Sequence, residues 1–230
     1  MLMLQDLALS EPAVCPYIPS EKAVNLYFIA ARLDEKELNG ILERGWRKFG
    51  WYYFRPACGG CERCTPLRVL TRRFEPTKSQ RRVIRKNAGV EVRFSDLRYR
   101  DEIYEIYLEH SRARFQAAGS PEDFLLSFYN PSCPAIQSEY YKDGRLVGVG
   151  FLDRTHEALS SVYFVYRSEM LGHSPGIYSV LREVELARSL DLPYYYLGYH
   201  VGESSRMAYK GRFRPHEIYS WRQKKWVEAD

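Results

Sequence analysis

Three strand-like runs in succession, residues 136–141, 146–153 and 158–166, constrain the fold of this chain more than any other feature. The first two flank Asp143-Gly144, a pair that tolerates the positive φ angles of a two-residue hairpin. Tyr, Val, Phe and Leu dominate the runs and suit a pleated surface, so the spacing predicts an antiparallel meander. A helix is predicted next, over 174–190. Ser174 and Pro175 stand at its N-cap and first-turn positions, and Ile177, Val180, Leu181, Val184 and Leu186 or Ala187 recur as one buried face. Pro193 breaks it. Residues 194–199 read as a buried strand, 203–210 as a short helix and 216–221 as the last strand.

Upstream of the meander, a strand over 90–94 leads into a helix over 101–114 with Ile103, Ile106 and Tyr107 inward, and 117–134 reads as a loop with one short helix. Helix, three antiparallel strands, helix, strand, short helix, strand is the chain order of the GNAT acyltransferase fold. The expectation is therefore an α/β (α+β) protein with a GNAT-like transferase domain over 91–230. Residues 1–90 read as a smaller cysteine-containing α/β unit. It has a strand over 25–31, a helix opened by Asp34 with Glu37 and stopped by Gly45, and strands over 51–55 and 67–71. A second helix, over 78–87, is capped by Thr77 and Gln80.

The first ten residues are too acidic and too short in their apolar run for a secretory signal, and no stretch approaches the ~18 apolar residues of a membrane helix. A cytoplasmic protein without a membrane partner is expected, its five cysteines reduced and suited to metal or redox chemistry. Cys58, Cys61 and Cys64 stand at three-residue spacing, with Gly59 and Gly60 permitting a tight loop; Cys15 is the natural fourth ligand of a closed tetrahedral site. The set suits zinc or an iron–sulfur cluster alike. The alternative is reduced thiols with no metal, and Cys133 reads as an unrelated thiol.

Lys plus Arg exceed Asp plus Glu by 34 to 29, and the excess is concentrated. Arg68, Arg72, Arg73, Lys78, Arg81, Arg82, Arg85 and Lys86 are accompanied by one acid, Glu75. On the predicted helix Lys78, Arg82 and Arg85 or Lys86 form a stripe, with Arg81 at its edge. Like charges four residues apart cost a helix roughly 0.2 to 0.5 kcal/mol per pair, which favours a polyanion partner over a merely solvated face.

These residues resemble the Ate-type aminoacyl-tRNA:protein transferases, and in particular their short bacterial branch, the aspartate/glutamate leucyltransferases. Cys15-Pro16-Tyr17-Ile18-Pro19 is similar to the family's opening signature, and Arg55-Pro56 with Cys58, Cys61, Cys64, Pro66 and Arg68-Val69 to its cysteine segment. Ser79-Gln80-Arg81-Arg82 is similar to its Ser-Gln-Arg motif, and Tyr196-Leu197-Gly198-Tyr199 with Met207, Tyr209-Lys210 and Phe213 to its C-terminal signature. The likeness implies tRNA-dependent transfer of leucine onto proteins beginning with Asp or Glu, and entry of the product into the N-degron pathway. Longer eukaryotic relatives use arginine. Together with the basic stripe, it nominates Tyr17, Arg68, Lys78, Ser79, Gln80, Arg81, Arg82, Arg85 and Lys210 as substrate-binding residues.

Such a reaction needs no cofactor: the acceptor's α-amine attacks an ester that is already activated. The protein must position two large substrates, remove a proton from an ammonium of pKa ~7.7 to 8.0 and stabilise an oxyanion. Arg81, Arg82 and Lys210 are candidates to read the acceptor's carboxylate, although phosphates would use the same groups. Tyr209, Lys210 and His200 are the catalytic candidates. Glu183, Glu185 and Glu203 would also serve as a base, and the residues single out none. An apolar pocket would fit leucine, and an acidic one arginine. Two other readings remain at this point: a GNAT N-acyltransferase using acyl-CoA, and a zinc-dependent nucleic-acid-binding protein. Residues 167–176 lack the Gln/Arg-x-x-Gly-x-Gly/Ala spacing that holds a CoA pyrophosphate.

Overall fold

The computed structural model describes residues 1–115 and 119–229. The first elements are β1 (Leu2–Leu9), β2 (Ala13–Val14), β3 (Lys22–Ala23), β4 (Asn25–Arg32), α1 (Glu35–Glu43), β5 (Arg47–Phe49) and β6 (Tyr52–Pro56). Four of the strands build an antiparallel sheet in the order β1-β4-β6-β5, and β2 pairs separately with β3. The helix α1 opens on the expected capping box. Asp34 accepts from the Glu37 N–H and Glu37 from the Asp34 N–H, each at 2.9 Å, so two donors at the helix end are satisfied. Leu38, Ile41 and Leu42 of α1 pack on Phe28, Trp46 and Tyr53. Neither β1 nor β5 is predicted from the sequence: β1 lies on the sheet's edge with its leucines largely exposed, and β5 is three residues long.

The larger sheet contains β7 (Thr65–Leu70), then after α2 (Lys78–Lys86), β8 (Val90–Asp96). Beyond α3 (Asp101–Phe115) and α4 (Pro121–Phe124) come β9 (Ala135–Lys142), β10 (Arg145–Arg154) and β11 (Ala158–Tyr166). After α5 (Pro175–Ser189) come β12 (Tyr194–His200), β13 (His216–Ser220) and β14 (Lys225–Glu228). The sheet order is β14-β13-β7-β12-β11-β10-β9-β8. The predicted meander is β9-β10-β11, turning at Asp143 and Gly144 with φ of +51° and +75°. With α3 before it, α5 after it and β12 returning parallel to β11, the arrangement is α/β and GNAT-like.

Residue 90 is not a boundary between sheets. The strand β7, from the N-terminal third, lies between β12 and β13 and pairs with both. Leu67 and Val69 of β7 are fully buried with Leu159, Tyr195 and Phe213, so both the strand's backbone and its apolar face are satisfied only inside the C-terminal sheet. The helix expected over 203–210 is instead a 3-10 turn, Ala208–Arg212, with Gly211 inside it and Gly202 ahead of it, both poor helix formers. One more strand, β14, follows the one expected to be last. The start of the predicted 117–134 loop lies outside the described residues. Its later part holds α4 and a π-turn, and Phe124 and Phe128 from them pack on Ile103 and Ile106 of α3. Among the described residues no helix is long and apolar enough to cross a membrane.

Candidate active site

The strands β11 and β12 are the one parallel pair in the large sheet, and they stay together only where Ala158–Ser160 face Tyr194–Tyr196. Beyond that they part. β11 runs on to Tyr166 beside β10, and β12 to His200 beside β7. Four residues of β12 past the split make a wedge roughly 13 Å deep. A bulge in β12 between Tyr196 and Gly198, with Gly198 at φ +87°, turns the strand away. A cavity of about 710 Å³ occupies the wedge, walled by Ser161–Phe164, Leu197–Tyr199, the first turn of α5 and the segment 205–210.

Two cations meet at its base. Arg47, carried in on β5 from the small sheet, is buried and donates from Nη1 to Ser160 Oγ at 2.9 Å and from Nη2 to the Ser161 carbonyl. Lys210, from the 3-10 turn, donates from Nζ to the Tyr199 carbonyl at 3.0 Å. A side chain at Gly198 would place its Cβ 3.3 Å from Lys210 Nζ and 3.6 Å from Arg47 Nη2, so the glycine makes room for both. Burial, and then the charge of Arg47, lower the Lys210 ammonium to about 7. Arg47, Lys48, His110, Arg114, Arg206 and Lys210 line the cavity with Phe49, Phe54, Phe164, Ile177, Val180, Leu197 and Met207, and among the described residues no carboxylate does. Burial and neighbouring Arg114 hold His110 near pKa 4, so it is neutral at pH 7. Asp153, the acid closest to this group, is committed to Lys48 at 3.0 Å.

Residues 13–82 match the family described as arginine-tRNA-protein transferase, N terminus, and residues 100–220 match its C terminus. The chain belongs to the arginine-tRNA-protein transferase family. It is 34% identical to the aspartate/glutamate leucyltransferase of Thiobacillus denitrificans, covering 87% of this chain and 86% of that protein. The proteins of the same name from Marinobacter nauticus and Polynucleobacter necessarius are 32% and 34% identical, covering 90% of this chain and 89% and 86% of theirs. Among solved structures, the C-terminal domain of a putative lysylphosphatidylglycerol synthetase from Agrobacterium fabrum gives a TM-score of 0.47 at 14% identity, covering 76% of this chain and 54% of that one. As a member of the family the chain is an aminoacyltransferase, with an aminoacyl-tRNA and a protein as its substrates.

The transferase brings some of the nominated residues to the wedge and leaves others out. Tyr17, Tyr209 and Lys210 line it. His200 does not: it turns back to the loop at Gly211, where a Cβ would lie 3.2 Å from its Nε2. Arg68 is not available to a substrate. Its guanidinium is stacked between Tyr194 and Trp226, at 3.7 and 4.5 Å from the ring centroids, and its Nε donates to Glu217 at 2.6 Å. Gln80 is also structural, being buried, closing the cap on Thr77 and donating to the Arg212 carbonyl at 3.2 Å. Ser79 bonds Thr77 at 3.0 Å, and Arg81 donates to the Pro76 carbonyl at 2.6 Å. Glu183 is buried under the sheet, apart from the cavity.

Lys78, Arg82 and Arg85 remain exposed, and among the described residues none has an acidic partner. Their helix α2 is strapped along the wedge. Gln80 ties its start to the turn that carries Lys210, and at its end Asn87 donates to the His173 carbonyl, next to the first turn of α5. Neutralising Arg82 and Arg85 together should flatten the salt dependence of tRNA binding by about 1 to 2 units of slope. Titrations between 50 and 300 mM salt that give the wild-type slope would return both residues to a solvated face.

The four candidate cysteine ligands gather at one end of the small sheet. Burial, then the nearby Cys15, Cys58 and Cys61, push the Cys64 thiol up to about 12. They do not converge on one point: Cys58 Sγ accepts from the Val24 N–H at 3.4 Å, and among the described residues no three His, Cys, Asp or Glu side chains are placed to hold a metal ion. As arranged, the thiols do not fit a ligand shell, and no chemical step depends on one. Their link to the wedge is Tyr17, whose hydroxyl is raised by its own burial and then by Cys64 and Cys15. Sequence reasoning missed Arg47, Lys48, His110, Arg114 and Arg206. None stands in a motif, and only the packing of the small sheet against β11 brings Arg47 to the wedge.

Proposed function

We propose that this transferase moves leucine from Leu-tRNA to the N-terminal amine of proteins that begin with Asp or Glu. The observation that carries the reading is the wedge, which sets Phe49, Phe54, Phe164, Ile177, Val180, Leu197 and Met207 beside five lysine and arginine side chains, with no lining carboxylate among the described residues. A guanidinium donor calls for a carboxylate partner in a site of this kind, whereas a leucyl group needs only apolar surface. The cations suit an acceptor that carries a negative side chain. The names of the relatives point the same way. Use of acyl-CoA is disfavoured because Arg167, which opens the stretch before α5, is turned to Glu109 and Glu102 at 3.5 and 3.7 Å.

On this reading the acceptor stem lies along α2 and its aminoacyl end enters the wedge over the first turn of α5. The acceptor's amine attacks the ester carbonyl, a new C–N bond forms, and the ribose hydroxyl leaves. Leucine modification would commit the product to degradation, as an N-degron. Labelled Leu-tRNA or Arg-tRNA, offered with peptides beginning with Asp or Ala, tests the proposal. Transfer of leucine to the Asp peptide alone is expected. Transfer from Arg-tRNA only, or acyl-CoA consumption in its place, would overturn it.

A further inference from the structure

Two cations buried side by side without a counter-ion are costly, because each gives up hydration and repels the other. Arg47, buried, and Lys210, half-buried beside it, approach this position. Among the described residues neither has a carboxylate within 4 Å, and Asp153 is held by Lys48. Their bonds to Ser160, Ser161 and Tyr199 are to neutral oxygens. Arg47 uses two of its five N–H donors there, which leaves three for a ligand. Both heads approach Gly198, so they lie no more than about 7 Å apart. An N-terminal aspartate separates its amine from its carboxylate by roughly 3 to 4 Å, and can touch both heads at once.

We propose that Arg47 holds the acceptor's side-chain carboxylate while Lys210, across Gly198, takes the proton from its α-ammonium. The assignment rests on the transfer proposed above. The two side chains differ in the way the two tasks require: a guanidinium stays charged and forks to a carboxylate, and a half-buried lysine beside a second cation can exist as a neutral amine. Lys210, at about 7, is poised near the ~7.7 to 8.0 of an α-ammonium, so the proton passes with little change in free energy. The freed amine attacks the ester carbon. As the ester C–O bond breaks, the second proton of that nitrogen goes to the ribose oxygen, and Lys210 releases the first to solvent between turnovers. Acceptor ammonium and ester thus become amide, alcohol and one proton.

The test measures single-turnover transfer from preformed Leu-tRNA to peptides beginning with Asp or Asn. Arg47→Met should lose roughly 10- to 100-fold more in kcat/KM on the Asp peptide than on the Asn peptide, the excess appearing in KM, beyond the loss both peptides share because its charge no longer lowers Lys210. Arg47→Lys, which keeps the charge, should retain most of the preference for Asp and guards against misfolding, as does the Tm of each variant. Lys210→Arg should lower kcat on both peptides by about 100-fold or more at unchanged KM, because arginine cannot accept the proton. Equal losses on the two peptides in Arg47→Met, or a weakened affinity for Leu-tRNA instead, would overturn the role of Arg47. An undiminished kcat in Lys210→Arg would overturn that of Lys210. Failure of the wild-type protein to transfer leucine at all would count against the proposed function, whereas wild-type transfer with indifferent variants sinks only this inference.

Discussion

Replacing Lys48 by methionine should lower the free energy of unfolding by about 3 to 5 kcal/mol at pH 7, the cost of leaving a buried partner charge alone. Lys48 and Asp153 are 3.0 Å apart with side-chain exposures of 5% and 2%, so solvent cannot screen either one. Burial by itself would lower the Lys48 ammonium, and Asp153 reverses this and holds it above its ordinary value. Cys133 donates to the same carboxylate at 3.4 Å, too weak a bond to replace the ammonium. Lys48→Met with Asp153→Leu should recover most of it, since the pair's own desolvation is then avoided. Guanidinium unfolding at pH 7 measures these differences, and a loss below about 1 kcal/mol for the single variant would show that water reaches the pair.

Glutamine at position 183 should remove a pH dependence worth about 3 kcal/mol. The Glu183 carboxyl, buried between α5 and the sheet, is raised by that burial from 4.5 to about 7. Bonds from Tyr195 at 2.5 Å and Ser138 at 3.2 Å favour its ionised form but do not offset the desolvation. The unfolded chain therefore releases this proton near pH 4.5, while the folded protein keeps it until near pH 7. Across that window the wild-type protein should lose stability as pH rises, with the loss complete above pH 7. Glu183→Gln keeps an acceptor for Tyr195 and Ser138 and has no proton to lose. Its stability relative to wild type should climb from pH 4.5 to 7.5, as read from urea midpoints. A constant difference across that range would mean that Glu183 is hydrated or ionised in the folded protein.

Local signals were legible in particular places. The capping boxes at Asp34–Glu37 and Thr77–Gln80, the Asp143-Gly144 turn and the apolar face from Ile177 to Ala187 each depend on neighbours a few residues away, and each forms as expected. Strands without such signals were not legible. Arg47 and Lys48 are charged, and a charged pair in a three-residue strand reads as surface until a partner sheet buries it. Arg68 misled in the opposite direction: it stands within a motif, yet Tyr194, Trp226 and Glu217, all more than 120 residues away in the chain, enclose it.

By itself the amino-acid sequence determined the β9-β10-β11 meander with α3 before it and α5 after it, the basic stripe on α2 and the likeness to the transferases, because periodicity, capping and motif spacing are properties of adjacent residues. Only the tertiary structure decided that β7 crosses into the C-terminal sheet, that β11 and β12 part into a wedge, and that Arg47 and Lys210 meet at its base without an acid. The physical reason is that pairing partners and counter-ions are chosen by burial across long separations, where hydrogen bonds and charges must be satisfied by whatever the fold brings near.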